Sequence, residues 1–219
     1  MSEFTLVIGN KNYSSWSLRP WLLLRHLQLS FDEELIVLSR PESRALLLQH
    51  SPAGRVPVLK HAGLIIWESL AIIEYLCELT GSGWPAERAA RAHARTVSAE
   101  MHAGFSALRN QWPMNARATG RRTPMTAELR SDIERVDALW SDCRQRFAAR
   151  GRWLFGEYSA ADAMYAPIAL RFRSYGASLS PPAQAYLDTV LQHAPLQQWL
   201  AAAALEPWSI PYSELGLPG

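Results

Sequence analysis

A chain of 219 residues with 48% hydrophobic and 19% charged residues has the make-up of an ordinary globular protein, which excludes a disordered one. Its formal net charge of +2 and pI of about 8.7 are too mild for nucleic-acid binding, which needs basic residues concentrated on one face. Nearly all of the positive charge is arginine, which reads first as compositional bias and second as a taste for anionic ligands.

In chain order, Phe4 to Ile8 is a β-branched apolar run closed by Gly9-Asn10 and is predicted as a strand. A polar stretch from Asn10 to Ser15 leads into a helix through Trp16 to Arg25. Its serines stand where an N-cap belongs, and Pro20 is placed in the first turn, where proline is tolerated. Glu34 to Leu38 reads as a second strand and Glu42 to Gln49 as a small helix. Val56 to Lys60 and Leu64 to Trp67 flank the turn His61-Ala62-Gly63 and predict a hairpin. Glu68-Ser69 then opens a helix from Leu70 to Leu79, and Thr80 to Pro85 has the composition of a linker.

Beyond Ala86 apolar residues recur at helical spacing and no strand is expected. Glu87 to Trp112 and Thr126 to Arg150 read as two long helices joined by the polar, basic loop Pro113 to Pro124. Ala160 to Tyr175, Pro182 to His193 and Pro195 to Ala204 are the later helices. The expected division is a mixed α/β domain over 1–80, a linker over 81–86 and an all-helical domain over 87–219.

The N-terminus lacks the basic and apolar regions of a signal peptide, and no segment is apolar enough to span a membrane. Cys77 and Cys143 show no metal or CxxC spacing and are expected to be buried, reduced thiols of a cytoplasmic protein. The six histidines show no HxxxH or mixed His/Cys spacing, so no metal is expected.

Three constellations carry chemistry. Asn12-Tyr13-Ser14-Ser15-Trp16-Ser17 lies at a strand-to-helix junction, where free N–H groups and the positive dipole end favour an anion. A serine hydroxyl there can donate to a thiol sulfur and favour the thiolate; the same serines also read as plain N-caps. Arg55-Val56-Pro57 holds a candidate cis-proline, which if cis turns Val56 outward to pair with an extended peptide; the alternative is an edge-strand proline with no ligand. Glu68-Ser69 opens a helix where the Ser69 hydroxyl and N–H can receive a carboxylate and Glu68 can meet an ammonium, though Ser69 alone also reads as an ordinary cap.

In this order and spacing the three resemble the N-terminal domain of glutathione transferases, and Ser159-Ala160-Ala161-Asp162 resembles that family's capping box. The resemblance implies a thioredoxin-like domain followed by an all-α helical bundle, with glutathione as co-substrate, no metal, and a homodimer. Ser14-Ser15-Trp16-Ser17-Leu18-Arg19 is similar to the zeta-class pattern Ser-Ser-Cys-x-x-Arg, with Trp16 in the place of the cysteine. By that match Ser14 is the thiol-activating hydroxyl, Ser15 a neighbouring contact and Arg19 a supporting charge, with Ser15 and Tyr13 as alternatives for the activating role. Arg55, Val56, Pro57, Glu68 and Ser69 complete the implied glutathione site. Trp16, Met101, Phe105, Arg109 and Trp112 are the implied pocket for a small hydrophobic electrophile. The implied activity is conjugation of glutathione, in a detoxifying role; the alternatives are glutathione-dependent cis-trans isomerisation of the maleylacetoacetate type and a non-catalytic binding protein of the same fold.

Overall fold

The computed structural model describes residues 2–218. Strand β1 (Phe4–Ile8) is followed by α1 (Ser15–His26), β2 (Phe31–Leu35), α2 (Ser43–Leu48), β3 (Val58–His61), β4 (Leu64–Trp67) and α3 (Ser69–Thr80). The sheet order is β2-β1-β3-β4, with β1 parallel to β2 and antiparallel to β3. Buried on both faces, β1 is a continuous apolar run rather than an alternating one. The β3–β4 hairpin closes through Ala62 (φ 48°) and Gly63 (φ 79°), two positive-φ positions as a tight two-residue turn requires.

The second strand lies earlier than expected, at Phe31–Leu35 instead of Glu34–Leu38, because its register is set by pairing with β1 from Phe4 opposite Phe31. Pro20 is also deeper than expected, the sixth residue of the helix that starts at Ser15, so the Trp16 carbonyl has no amide donor one turn on.

The helical part contains α4 (Arg88–Ala103), α5 (Ser106–Gln111), α6 (Ala127–Phe147), α7 (Ala160–Tyr175), α8 (Pro181–Leu191) and α9 (Ala194–Ala204). The helix expected over Glu87 to Trp112 is thus two. The break falls at Gly104 and Phe105, the latter at φ 61°, a left-handed conformation that ends the repeat. A second correction concerns strands beyond Ala86: β5 (Arg121–Arg122) and β6 (Leu217–Pro218) form a short antiparallel ribbon that ties the basic loop to the C-terminal tail. No helix among the described residues is long and apolar enough to cross a membrane.

Helix α7 is the core of the helical part, buried almost throughout and packed against both α1 and α4. Its N-terminus is closed by the expected capping box. Asp162 accepts from the Ser159 N–H (2.8 Å), the Ser159 hydroxyl (3.1 Å), the Leu154 N–H (3.1 Å) and the Tyr186 hydroxyl (3.0 Å). Burial raises its carboxyl from 3.8 to about 6 despite these donors. Asp162→Ala strands these donors in the interior, and urea denaturation should show a loss of about 3 kcal/mol. With the folded pKa above the unfolded one, the carboxyl's contribution falls as pH rises from 3.8 to about 6. The stability difference between wild type and Asp162→Asn should therefore change across that window and be flat above it. A flat difference throughout contradicts the raised carboxyl.

Candidate active site

The site begins where β1 hands over to α1. Ser14 is the N-cap of α1, buried, its Oγ accepting from the Ser17 N–H at 3.3 Å. Ser14 Oγ and Ser17 Oγ lie 2.7 Å apart, and Ser17 Oγ accepts from the Gly9 N–H at 3.1 Å. Either hydroxyl can donate in that pair, since neither has another acceptor among the described residues; the arrangement that leaves a proton for a ligand has Ser17 donating to Ser14. Ser14 then accepts from both the Ser17 N–H and the Ser17 hydroxyl, and its own proton is free to be donated at the positive end of α1.

The second and third constellations meet in one groove. Trp16, Ala53, Arg55, Val56, Pro57, Trp67, Glu68 and Ser69 line a space of about 100 Å³. The Val56–Pro57 bond is cis. Glu68 is exposed and stands at φ 69°, in the left-handed region, immediately before α3. Ser69, the first residue of α3, is buried, and its hydroxyl has no partner among the described residues. Together with the free N–H groups of a 12-residue helix, that hydroxyl suits a carboxylate.

Trp16 forms one wall of the groove and is flanked by cations. The Arg19 guanidinium lies 4.2 Å and the Arg109 guanidinium 4.9 Å from its ring, and His102 packs edge-on at 5.4 Å. Arg19 is buried behind Trp16 and does not line the groove, although the family pattern sets it beside glutathione. Ser15, half-buried at the first helical position, accepts from Arg171 Nη2 at 3.5 Å.

Three of the residues read as an electrophile pocket do not line the groove beside Trp16. Met101, Phe105 and Trp112 are buried, with the Trp112 ring stacked on Tyr175 at 5.2 Å and its N–H bonded to Thr123. Arg109 donates to the carbonyls of Met101 and His102. Tyr13 is buried, and its hydroxyl donates to Glu214 at 2.5 Å while accepting from Arg117. That proton is committed to the C-terminal tail.

Ser17 and Arg171 are the members of this region that the sequence did not single out. Ser17 has a signal in hindsight, standing three residues after the N-cap serine. Arg171 has none, since it reaches Ser15 from 156 positions away. The structure also gathers His93, Asp142 and Cys143, with candidate ligand atoms within 4.8 Å of one another, a grouping that sequence spacing does not reveal. Arg146 already bonds both Asp142 and His93 there.

Residues 13–79 match the family model described as "Glutathione S-transferase, N-terminal domain". A Caenorhabditis elegans protein named "Probable maleylacetoacetate isomerase" is 35% identical over 98 residues, which are 44% of this chain and 45% of that one. The chain therefore matches less than half the length of that relative. A glutathione transferase homolog from Burkholderia, solved with bound glutathione, has a TM-score of 0.70 at 23% identity, covering 92% of this chain and 98% of its own. The glutathione transferase URE2P5 of Phanerochaete chrysosporium has a TM-score of 0.71 at 19% identity, covering 93% of this chain and 96% of its own. The trimeric glutathione transferase TDR1 of Leishmania has a TM-score of 0.72 at 19% identity, covering 91% and 45%. These likenesses establish the fold of the chain: a thioredoxin-like mixed sheet followed by helices.

Proposed function

We propose that this chain is a glutathione S-transferase, a reading supported by the match of residues 13–79 to that family's N-terminal domain, and that it binds glutathione and activates the thiol for attack on an electrophile. The observation that carries the reading is the convergence of Val56-Pro57, Glu68 and Ser69 on one groove beside the capped start of α1. Ser69 and the α3 N-terminus receive the γ-glutamyl carboxylate, Glu68 meets the ammonium, and Val56 pairs with the cysteinyl backbone. Arg55, exposed at the groove's edge, faces the glycyl carboxylate. Glutathione so laid across the groove brings its sulfur to Ser14, whose free proton stabilises the thiolate.

The chemical step follows from that arrangement. The thiolate attacks the electrophile, helped by orientation and by the lowered thiol pKa. A second reading, glutathione-dependent isomerisation, draws on the named Caenorhabditis elegans relative. There the sulfur adds to a cis double bond and leaves again after rotation, with glutathione recovered. Chromatography of the products separates the two: conjugate for the first, free glutathione and trans product for the second.

Ser14→Ala removes the donor and should lower kcat/KM by about 100-fold, with about 1 kcal/mol of stability lost with the cap. Ser17→Ala leaves the Ser14 proton unaimed. It should cost about tenfold and move the thiol's rise in the pH–rate profile upward. Unchanged turnover in Ser14→Ala shifts the activating role to Ser15, and absence of glutathione binding in the wild type ends the whole reading.

The chain also fits a homodimer: Leu64, Ile65 and Trp67 on the edge strand β4 and Leu79 on α3 are large and exposed. Analytical ultracentrifugation should give twice the 24.6 kDa chain mass, and Ile65→Lys should halve it; a monomeric wild type refutes the dimer. Its two cysteines are free, buried, and held as thiols by burial, with pKa values pushed up to about 12, which fits a reducing compartment such as the cytoplasm. A detoxifying role goes with conjugation and fails with it; fractionation that finds the protein outside the cytoplasm ends the location.

A further inference from the structure

Helices α4 and α6 meet at two levels along an antiparallel seam. At one, Arg135 of α6 holds both carboxylate oxygens of Glu100 of α4, at 2.7 and 2.9 Å. About two turns away on each helix the chemistry changes. There His93 of α4 faces Asp142 and Cys143 of α6, and candidate ligand atoms of the three lie within 4.8 Å of one another. His93 Nε2 is 3.3 Å from Asp142 Oδ2 and 3.7 Å from Cys143 Sγ. Cys143 is fully buried, His93 is partly exposed and Asp142 stands on the solvent side.

Tetrahedral zinc, with bonds of about 2.0–2.1 Å to nitrogen and oxygen and about 2.3 Å to sulfur, sets N and O about 3.3 Å apart and N and S about 3.6 Å apart. The two spacings from His93 are two edges of that tetrahedron. The third edge needs only a turn of the exposed Asp142 side chain toward the sulfur.

A positive charge already sits at this point. Arg146 Nη1 donates to Asp142 Oδ2 at 3.2 Å and to His93 Nε2 at 3.3 Å. A guanidinium has donors only, so Nε2 is an acceptor and the ring is neutral, with its proton on Nδ1. That is the form a metal requires. Arg146 is about half exposed and has open water to move into. One thiolate, one imidazole and one carboxylate suit a borderline ion such as zinc, and not the hard cations that take oxygen alone. A doubly charged ion with the Cys143 thiolate and the Asp142 carboxylate sums to zero charge, which limits the cost of burial.

We propose that His93, Asp142 and Cys143 bind one zinc ion, which displaces the Arg146 guanidinium and staples α4 to α6. The three side chains supply three bonds and a water the fourth. On binding, the Cys143 S–H bond breaks, the sulfur keeps the electron pair and gives it to the metal, and the proton passes to solvent. None of the three residues lines the groove beside Trp16, so the inference stands apart from the glutathione reading.

The test uses the full, untagged chain, stripped with EDTA and titrated with zinc chloride in a calorimeter. One ion should bind per chain, and zinc at about a hundredfold over its Kd should raise Tm by about 5 °C. Cobalt chloride in place of zinc reads the sulfur directly. A sulfur-to-cobalt charge-transfer band should appear, vanish in Cys143→Ser and persist in Cys77→Ser, the change at the other thiol. His93→Gln and Asp142→Asn should each weaken zinc binding by about 100-fold or more. They alter partly or fully exposed side chains, and so keep the test decisive where the buried Cys143→Ser does not fold. Arg146→Met removes the competing cation and should tighten binding by about fivefold. A wild type that takes up no zinc overturns the site. So does a band that survives Cys143→Ser, an undiminished affinity in His93→Gln or Asp142→Asn, or an affinity in Arg146→Met that is unchanged or weaker.

Discussion

Residues Ser17 to Leu24 of α1 are all buried, packed against the sheet and α3 on one side and against α7 on the other. Burial of a single leucine in this stretch is worth about 2 kcal/mol, and Leu18, Leu22, Leu23 and Leu24 are almost wholly removed from water. The sequence is consistent with that placement, since the helix carries no solvent face for most of its length. Its start is thereby fixed with respect to both the sheet and the helical part. Ser14, Ser15, Trp16 and Arg19 all ride on that start, so the site's geometry inherits the precision of the core rather than the freedom of a loop.

The loop leading into α1 is held by the other end of the chain. Glu206 accepts from the backbone N–H groups of Lys11 (2.6 Å) and Asn12 (3.0 Å), and the Trp199 indole donates to the Lys11 carbonyl (2.8 Å). Asn12 in turn accepts from the Arg117 N–H through its side chain and from the Ala116 N–H through its carbonyl. Arg117 and Arg121, in the polar, basic loop, are spent on the same task through Glu206, Trp208 and Glu214. The residues after α9 therefore act on the junction of β1 with α1 without lining the groove. This also explains why Tyr13 belongs to the framework: its hydroxyl is one strut of that network.

Local signals made much of this legible in advance. The β1 run, the hairpin turn, the capping box before α7 and the cis bond before Pro57 each follow from a few neighbouring residues, and each stands in the structure. The groove residues were readable for the same reason, being set by turns and helix starts. What failed was decided by tertiary pairing. The place of β2 depends on register against β1, and the ribbon of β5 with β6 exists only because two distant segments meet. The break at Gly104-Phe105 interrupts an unbroken helical pattern, and an added Cβ on Gly104 would lie 2.9 Å from the Glu100 carbonyl oxygen. Met101, Phe105 and Trp112 are buried, and helical spacing, which tells which residues share a face, does not tell what that face meets.

The arginine content, which composition alone reads as bias, divides on the structure into two populations with different energetics. Arg95 and Arg135 are about half exposed and paired with glutamates, an arrangement that contributes little either way. Arg19 is the fifth residue of α1, where the helix dipole is unfavourable to a cation, and it is buried with two like charges as neighbours. Burial, like charges and the helix dipole disfavour that position, and the contact of its guanidinium with the Trp16 ring at 4.2 Å favours it. The peptide dipoles of α1 and the guanidiniums behind Trp16 therefore add to one positive field at the point where the Ser14 proton is aimed. Such a field is a liability for folding and an asset only toward negative charge. Conflict between local stability and placement is expected where a fold has been shaped for binding and not for rigidity alone.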